Sequence, residues 1–157
     1  MISFIENGNK FNFRVGAVIL NKDKTKILLH RFPEFKFWLV PGGRVEMLED
    51  TKTSLARELS EEIGAKAKVE DLIINSETFF NFREADYHEI GYYYLVKLED
   101  EKFYLASEFE GIEGEKTLYY KWFAIKDLDK ITVKPEFLKD YLQEGKLEFK
   151  HIIKNEL

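Results

Sequence analysis

The chain has no cysteine. Disulfides, thiolate metal sites and cysteine nucleophiles are thereby excluded, and a reducing cytoplasmic location is expected. No apolar run approaches the ~20 residues a helix needs to cross a bilayer, which argues against a membrane partner. The amino terminus, Met1 to Phe13, lacks the basic stretch followed by a long apolar core that marks a secretory signal. Internal repeats and low-complexity tracts are missing as well, so residues 1–157 are expected to form a single domain, long enough to bury a core. Positive charge is in short supply: 24 Lys and Arg face 29 Asp and Glu, for a net charge of −5. That deficit weighs against duplex nucleic acid, which calls for a clustered basic face. A small nucleotide remains compatible, because local positive charge and a bound metal can hold a pyrophosphate on an acidic protein.

What the chain does have is a concentrated segment, Gly42 to Ala65, GGRVEMLEDTKTSLARELSEEIGA, carrying Glu46, Glu49, Glu58, Glu61 and Glu62. Asp50 is suited to cap a helix, because its carboxylate accepts from the free amides of the first turn. Gly64 suits the left-handed exit. The spacing predicts a helix over about Thr51 to Ile63. At about 100° per residue, Leu55, Ala56, Leu59 and Ile63 form its apolar stripe, while Glu62, Glu58 and Glu61 fall near 340°, 300° and 240° as an acidic ridge beside it. Like charges three and four residues apart oppose the helix by about 0.2–0.5 kcal/mol per pair. Arg57 can reach Glu61 and relieve part of that. A hard divalent cation such as Mg2+ relieves more, because it takes a few carboxylates and shares its other positions with waters and phosphate oxygens. The competing explanation is a solvated helix face, the ordinary fate of a charge run. A tight turn at Gly42-Gly43, able to aim backbone groups at an ion or phosphate, favours the metal.

This segment resembles the signature of the Nudix (MutT-like) hydrolases, G-x5-E-x7-R-E-U-x-E-E-x-G-U, at Gly43, Glu49, Arg57, Glu58, Leu59, Glu61, Glu62, Gly64 and Ala65. Seven fixed residue types at fixed spacing arise by chance about once in 10⁸ starting points, which makes the signal strong. The departures are Ala65, smaller than the usual aliphatic residue, and Leu48, where many members have glycine. The resemblance implies an α/β fold, an α/β/α sandwich around a mixed sheet, and Mg2+-dependent hydrolysis of a nucleoside diphosphate linked to another group, with Mn2+ as an alternative metal. By motif position it implies Glu58, Glu61 and Glu62 as metal ligands, with the Gly43 carbonyl as a further one. Glu58 is alternatively the base, Arg57 orients the carboxylates, and Glu49 ties the loop to the helix. A further acid is expected before a late strand, with Glu115 first and Glu113 and Glu110 next. A nucleoside triphosphate, a nucleotide sugar or a similar compound is left open as the substrate. The proline that some ADP-ribose-cleaving relatives carry about sixteen residues beyond the box is missing, since that neighbourhood here is Phe79, Phe80 and Asn81. A catalytically silent nucleotide sensor or protein-binding domain is the alternative, and a monomer and a homodimer are equally compatible.

Elsewhere, Phe11 to Leu20 reads as a strand, with a turn at Asn21 to Lys24 and a returning hairpin strand at Ile27 to His30. Arg14, His30 and Arg31 are candidates for phosphate or ribose against a solvated default. Phe32, Phe37 and Trp38 are candidates for base stacking against core packing. Strand runs are expected within Ala67 to Phe82, then a polar hairpin loop over Asn81 to Tyr87. His88 to Leu98 carries the strongest strand composition, with His88 and Glu89 at its start able to face the site. Phe103 to Leu105 reads as a strand end, Ser107 to Lys116 as an acidic loop, Thr117 to Ile125 as a strand, and Lys126 to Lys130 as a helical turn. Pro135 to Leu142 reads as a helix with Phe137, Leu138, Tyr141 and Leu142 inside. The tail after Gly145 is expected to pack partly and then fray.

Overall fold

Helix α1 (Thr51–Ile63) begins where the side chain of Asp50 accepts from the Thr53 amide at 2.9 Å. It ends at Gly64, whose φ of 65° is the left-handed conformation that lets its amide close on the last turn. Leu55 and Leu59 are fully buried, whereas Ala56 and Ile63 are only partly so. Ser54 and Glu62 are buried with them, so the buried face is rotated toward the acidic ridge. Replacing either leucine by alanine is expected to cost about 2–5 kcal/mol.

The computed structural model describes residues 1–157. Two sheets frame the interior. The larger joins β1 (Ser3–Glu6), β2 (Asn9–Val18), β7 (Ala85–Leu98), β6 (Ala67–Phe82) and β11 (Lys150–Asn155) in that order, with β5 (Gly42–Arg44) paired to β2. It is mixed, because β2 runs parallel to β7 and β11 parallel to β6, while β1 pairs antiparallel with β2 and β6 antiparallel with β7. The smaller sheet orders β10 (Val133–Lys134), β4 (Trp38–Leu39), β3 (Lys26–Arg31), β9 (Lys116–Ala124) and β8 (Glu108–Glu113). Alternation along β2 feeds two cores: Val15 and Ala17 pack with Leu55, Leu59 and Leu118 below α1, and Val18 packs with Ile27, Ile74 and Leu138. Leu138 belongs to α3 (Phe137–Gln143), whose Phe137, Leu138, Tyr141 and Leu142 are all buried as the apolar spacing requires. This is the expected sandwich built on a mixed sheet.

Several local expectations are corrected. β2 and β3 do not form a sheet hairpin, since past a single Leu20–Ile27 bridge the chain crosses to the other sheet. Gly42 and Gly43 are residues of strand β5, paired with Gly16 and Val15 of β2, not a turn. The polar loop over Asn81 to Tyr87 contracts to Arg83 and Glu84, both at positive φ (49° and 64°), the mirror-image geometry that matches strand twist. Phe103 to Leu105 lies in α2 (Lys102–Leu105), and the acidic stretch after Ser107 is mostly β8. Pairing with β9 organised that stretch, an interaction its composition conceals. The tail does not fray at once either: β11 adds to the open edge of β6.

Candidate active site

The acidic ridge of α1 is organised by Arg57. Its Nε donates to Glu49 Oε1 at 3.0 Å, and Nη1 donates to Glu58 at 3.2 Å and to Glu61 at 3.3 Å. Ser54 Oγ adds a 2.7 Å bond to the other Glu49 oxygen, and together these donors hold the Glu49 carboxyl below the usual range. Glu49 thus ties the loop ahead of α1 to the helix. Gly43 lies against Glu58 so closely that a Cβ there would push the carboxylate out of its position.

Glu62 has the opposite environment. Tyr120, on β9, donates to Glu62 Oε2 at 2.7 Å, and His30 Nδ1, on β3, stands 3.9 Å from the same oxygen. Burial, reinforced by the charges of Glu58 and Glu113 and opposed by the Tyr120 hydrogen bond, lifts the Glu62 carboxyl to about 8. Burial also drives His30 down to about 3, so the imidazole is neutral. Glu58 is raised too, by burial first, against the pull of Arg57. Glu61 is different: its side chain is 60% exposed on the solvent side of Arg57.

The three carboxylates therefore do not close on one point, and no three His, Asp or Glu side chains in the chain are gathered closely enough to enclose an ion by themselves. The buried side-chain atoms without any partner, however, are Glu62 Oε1 and, close to it, His30 Nδ1, together with Arg57 Nη2 on the same helix. An orphaned carboxylate oxygen, kept near other acids at a cost in charge repulsion, fits a cation. The donor set of hard oxygens fits Mg2+ or Mn2+ in kind.

A cavity of about 440 Å³ opens from this end and runs between the sheets, within the range of small-ligand sites. Gly43, Glu58 and Glu113 line its acidic end, and Phe32, Phe35, Phe37 and Phe82 line an aromatic wall. Phe35 and Phe37 stack at 4.8 Å, and Arg83 lies over Phe35 at 5.1 Å. Arg14 and Arg44, paired across β2 and β5, line the floor with Asn12, Thr78 and Glu89.

The remaining expected residues fall as follows. Glu115 is exposed in the turn between β8 and β9 and does not line the cavity, whereas Glu113, two residues earlier, does. Arg14 faces the cavity, but Arg31 is spent on the Phe35 carbonyl and on the rings of Trp38 and Tyr119. His30 is buried rather than solvated. Trp38 packs on Phe123, while Phe32 and Phe37 line the cavity. His88 points outward between Phe11 and Phe79. Sequence reading passed over Arg44, Asn12 and Tyr120. The signal for Arg44 was present, as a cation directly after the double glycine, but its register against Arg14 was not.

An α/β protein with a cleft between two sheets, walled at one end by helix carboxylates and floored by arginines, is thereby defined as a class. The NUDIX domain model matches residues 10–144. The chain is 32% identical over 122 residues to the 8-oxo-dGTP diphosphatase of Buchnera aphidicola subsp. Schizaphis graminum (strain Sg), covering 76% of this chain and 82% of that one. Its fold is similar to that of an ADP-ribose pyrophosphatase from Streptococcus suis 89-1591, with a TM-score of 0.62 at 16% identity over 90% of this chain and 98% of that one. It is similar also to a NUDIX hydrolase from Nitrosomonas europaea, with a TM-score of 0.60 at 21% identity over 98% of this chain and 82% of that one. The chain belongs to the Nudix family. It is a pyrophosphohydrolase acting on phosphorus-containing anhydrides, and hydrolases of this family use divalent metal ions. No helix is long and apolar enough to cross a membrane.

Proposed function

We propose that this chain hydrolyses a nucleoside triphosphate between its phosphates in a Mg2+-dependent reaction in the cytoplasm. The observation that carries the reading is the acidic end of a nucleotide-sized cavity, lined by Gly43, Glu58 and Glu113 over a floor that bears Arg14 and Arg44, with the orphaned carboxylate of Glu62 just behind the lining residue His30. The 8-oxo-dGTP diphosphatase relative supports a nucleoside triphosphate over a nucleotide sugar.

Glu58, Glu61 and Glu62, with the Gly43 carbonyl, are the set that would hold the metal, Glu61 turning in from its exposed position. The divalent ion, when bound, offsets phosphate charge and makes water a better nucleophile. Arg57 keeps Glu58 and Glu61 oriented through charge-assisted hydrogen bonds. Arg14 and Arg44 take phosphate oxygens and fix the chain of phosphates along the floor. Glu113, in place of Glu115, receives the proton of the attacking water.

The test is release of pyrophosphate or phosphate from a panel of nucleotides with Mg2+, with Mn2+ and with chelator, followed by locating the product's new oxygen from labelled water. Turnover of triphosphates that chelator abolishes is expected. Tight nucleotide binding without turnover would replace this reading by a sensor.

A further inference from the structure

From Arg44 a hydrogen-bond chain runs along the cavity floor to residues that the phosphate chemistry does not use. Arg44 Nη1 donates to Ser3 Oγ at 3.5 Å, Ser3 Oγ donates to Asn12 Oδ1 at 2.8 Å, and Asn12 Nδ2 donates to Glu89 Oε2 at 3.4 Å. Every donor points the same way, so the chain fixes the Asn12 amide and terminates on a carboxylate. Glu89 Oε1 receives no hydrogen bond from the protein, and Glu89 lines the cavity. Burial raises the Glu89 carboxyl while Arg14, Asn12 and Arg44 draw it back toward the charged form.

Register places this carboxylate. Glu89 pairs with Asn12 on one side and Thr78 on the other, and the row beside it pairs Lys10 with Tyr87 and Phe80. The Tyr87 and Phe80 rings stack at 5.1 Å and both line the cavity. Arg14 lies two residues beyond Asn12 on β2, about 7 Å further along the floor, on the way to the acidic end. An aromatic pair, then a carboxylate, then an arginine pair succeed one another along one sheet face. A flat base followed by a phosphate chain has the same order of demands.

We infer that Glu89, held by Asn12, is a specificity-determining residue that reads a nucleobase presenting two adjacent N–H donors, the edge of a guanine-type base. An ionised carboxylate offers acceptors only. The guanine N1–H and N2–H2 groups meet its two oxygens side by side, a paired, charge-assisted contact. Adenine sets its N1 lone pair against the carboxylate, and hypoxanthine keeps N1–H but has no amino group. Such a site rejects the wrong edge strongly, because a buried polar group is then left unpaired.

This inference rests on the nucleotide-hydrolase reading, and the experiment separates the two. Steady-state turnover of dGTP, dITP and dATP is compared in the wild type and in Glu89→Gln, alongside calorimetric binding of GMP and IMP, which needs no turnover. In the wild type dGTP is expected to exceed dITP about tenfold in kcat/KM and dATP by more, the worth of one charge-assisted hydrogen bond. Glu89→Gln is expected to bring the dGTP to dITP ratio close to one, with residual dITP turnover reporting a folded variant. Equal wild-type use of dGTP and dITP, a preference for dATP, or a ratio untouched by Glu89→Gln would overturn the inference. If no triphosphate turns over while GMP still binds about tenfold tighter than IMP, the base reading stands and the hydrolase reading falls. If the variant does not fold, the wild-type dGTP to dITP and GMP to IMP ratios decide alone.

Discussion

The acidic ridge beside the cavity, Glu58 in its lining with Glu61 and Glu62 next to it, comes from adjacent turns of the single helix α1, whereas on the floor Arg44, Asn12, Thr78 and Glu89 come from β5, β2, β6 and β7. The helical end accumulates charge of one sign, with Arg57 pairing Glu58 and Glu61 but not Glu62, and it holds buried side-chain atoms left without partners. The floor alternates signs, so that each donor finds an acceptor until Glu89. Repulsion stored at one end and a satisfied network at the other are what a site needs if it recruits a cation in one place and sorts ligands in the other.

The largest break in that contrast is Glu62→Gln. It removes the orphaned acceptor at the helical end, and kcat/KM with Mg2+ is expected to fall by about 10²–10³; a wild-type rate would take α1 out of the chemistry. Next comes Arg44→Ala on the floor, where losing charge-assisted bonds to phosphate is expected to lower kcat/KM by about 10–100-fold, mainly through KM. A fall in kcat at constant KM would instead give the floor the role assigned here to the helix.

A smaller effect concerns pH in metal-free buffer. The Glu62 carboxyl is raised in the folded protein from 4.5 to about 8, so the stability that its retained proton provides is lost as pH rises through that window. His30 is lowered from 6.5 to about 3, so its contribution is lost as pH falls through that lower window. Between pH 6.5 and about 8 the Glu62 effect acts without the His30 one. The Tm is therefore expected to drop by a few degrees across that interval, about 2 kcal/mol at most. Calorimetry of Glu62→Gln should show a flat profile there, and an unchanged slope would assign the pH effect elsewhere.

The smallest expected effect is at Leu48, whose side chain is fully exposed and whose φ is 65°. Leu48→Gly is expected to raise stability by about 0.5–1 kcal/mol, because the left-handed backbone costs leucine and its side chain buries nothing. A denaturant midpoint that falls instead would show that Leu48 makes contacts in solution.

How much of this was legible beforehand follows the same division. Asp50, Gly64 and the apolar spacing located α1 to the residue, and the stripe at Phe137, Leu138, Tyr141 and Leu142 located α3, because capping and a 3.6-residue period are local. Ser107 to Lys116 read as an acidic loop because nothing in its composition announces that β9 will pair with it. The tail reads as frayed for the same reason: its partner, β6, is distant in the chain, with Lys150 set against Ile74. The order of Glu115 before Glu113 is reversed because only the β8–β9 pairing, which ends at Glu113, brings one of these exposed acids to the cavity rim.

The sequence by itself determined that a helix would carry Glu58, Glu61 and Glu62 on one edge behind Gly43, because helical geometry turns spacing along the chain directly into position in space. Tertiary structure alone decided that Glu62 would meet Tyr120 and His30, and that Asn12, Arg44 and Glu89 would share a floor. Strand neighbours are chosen by pairing across the whole chain, and a one-residue slip in that pairing sends every side chain to the opposite face.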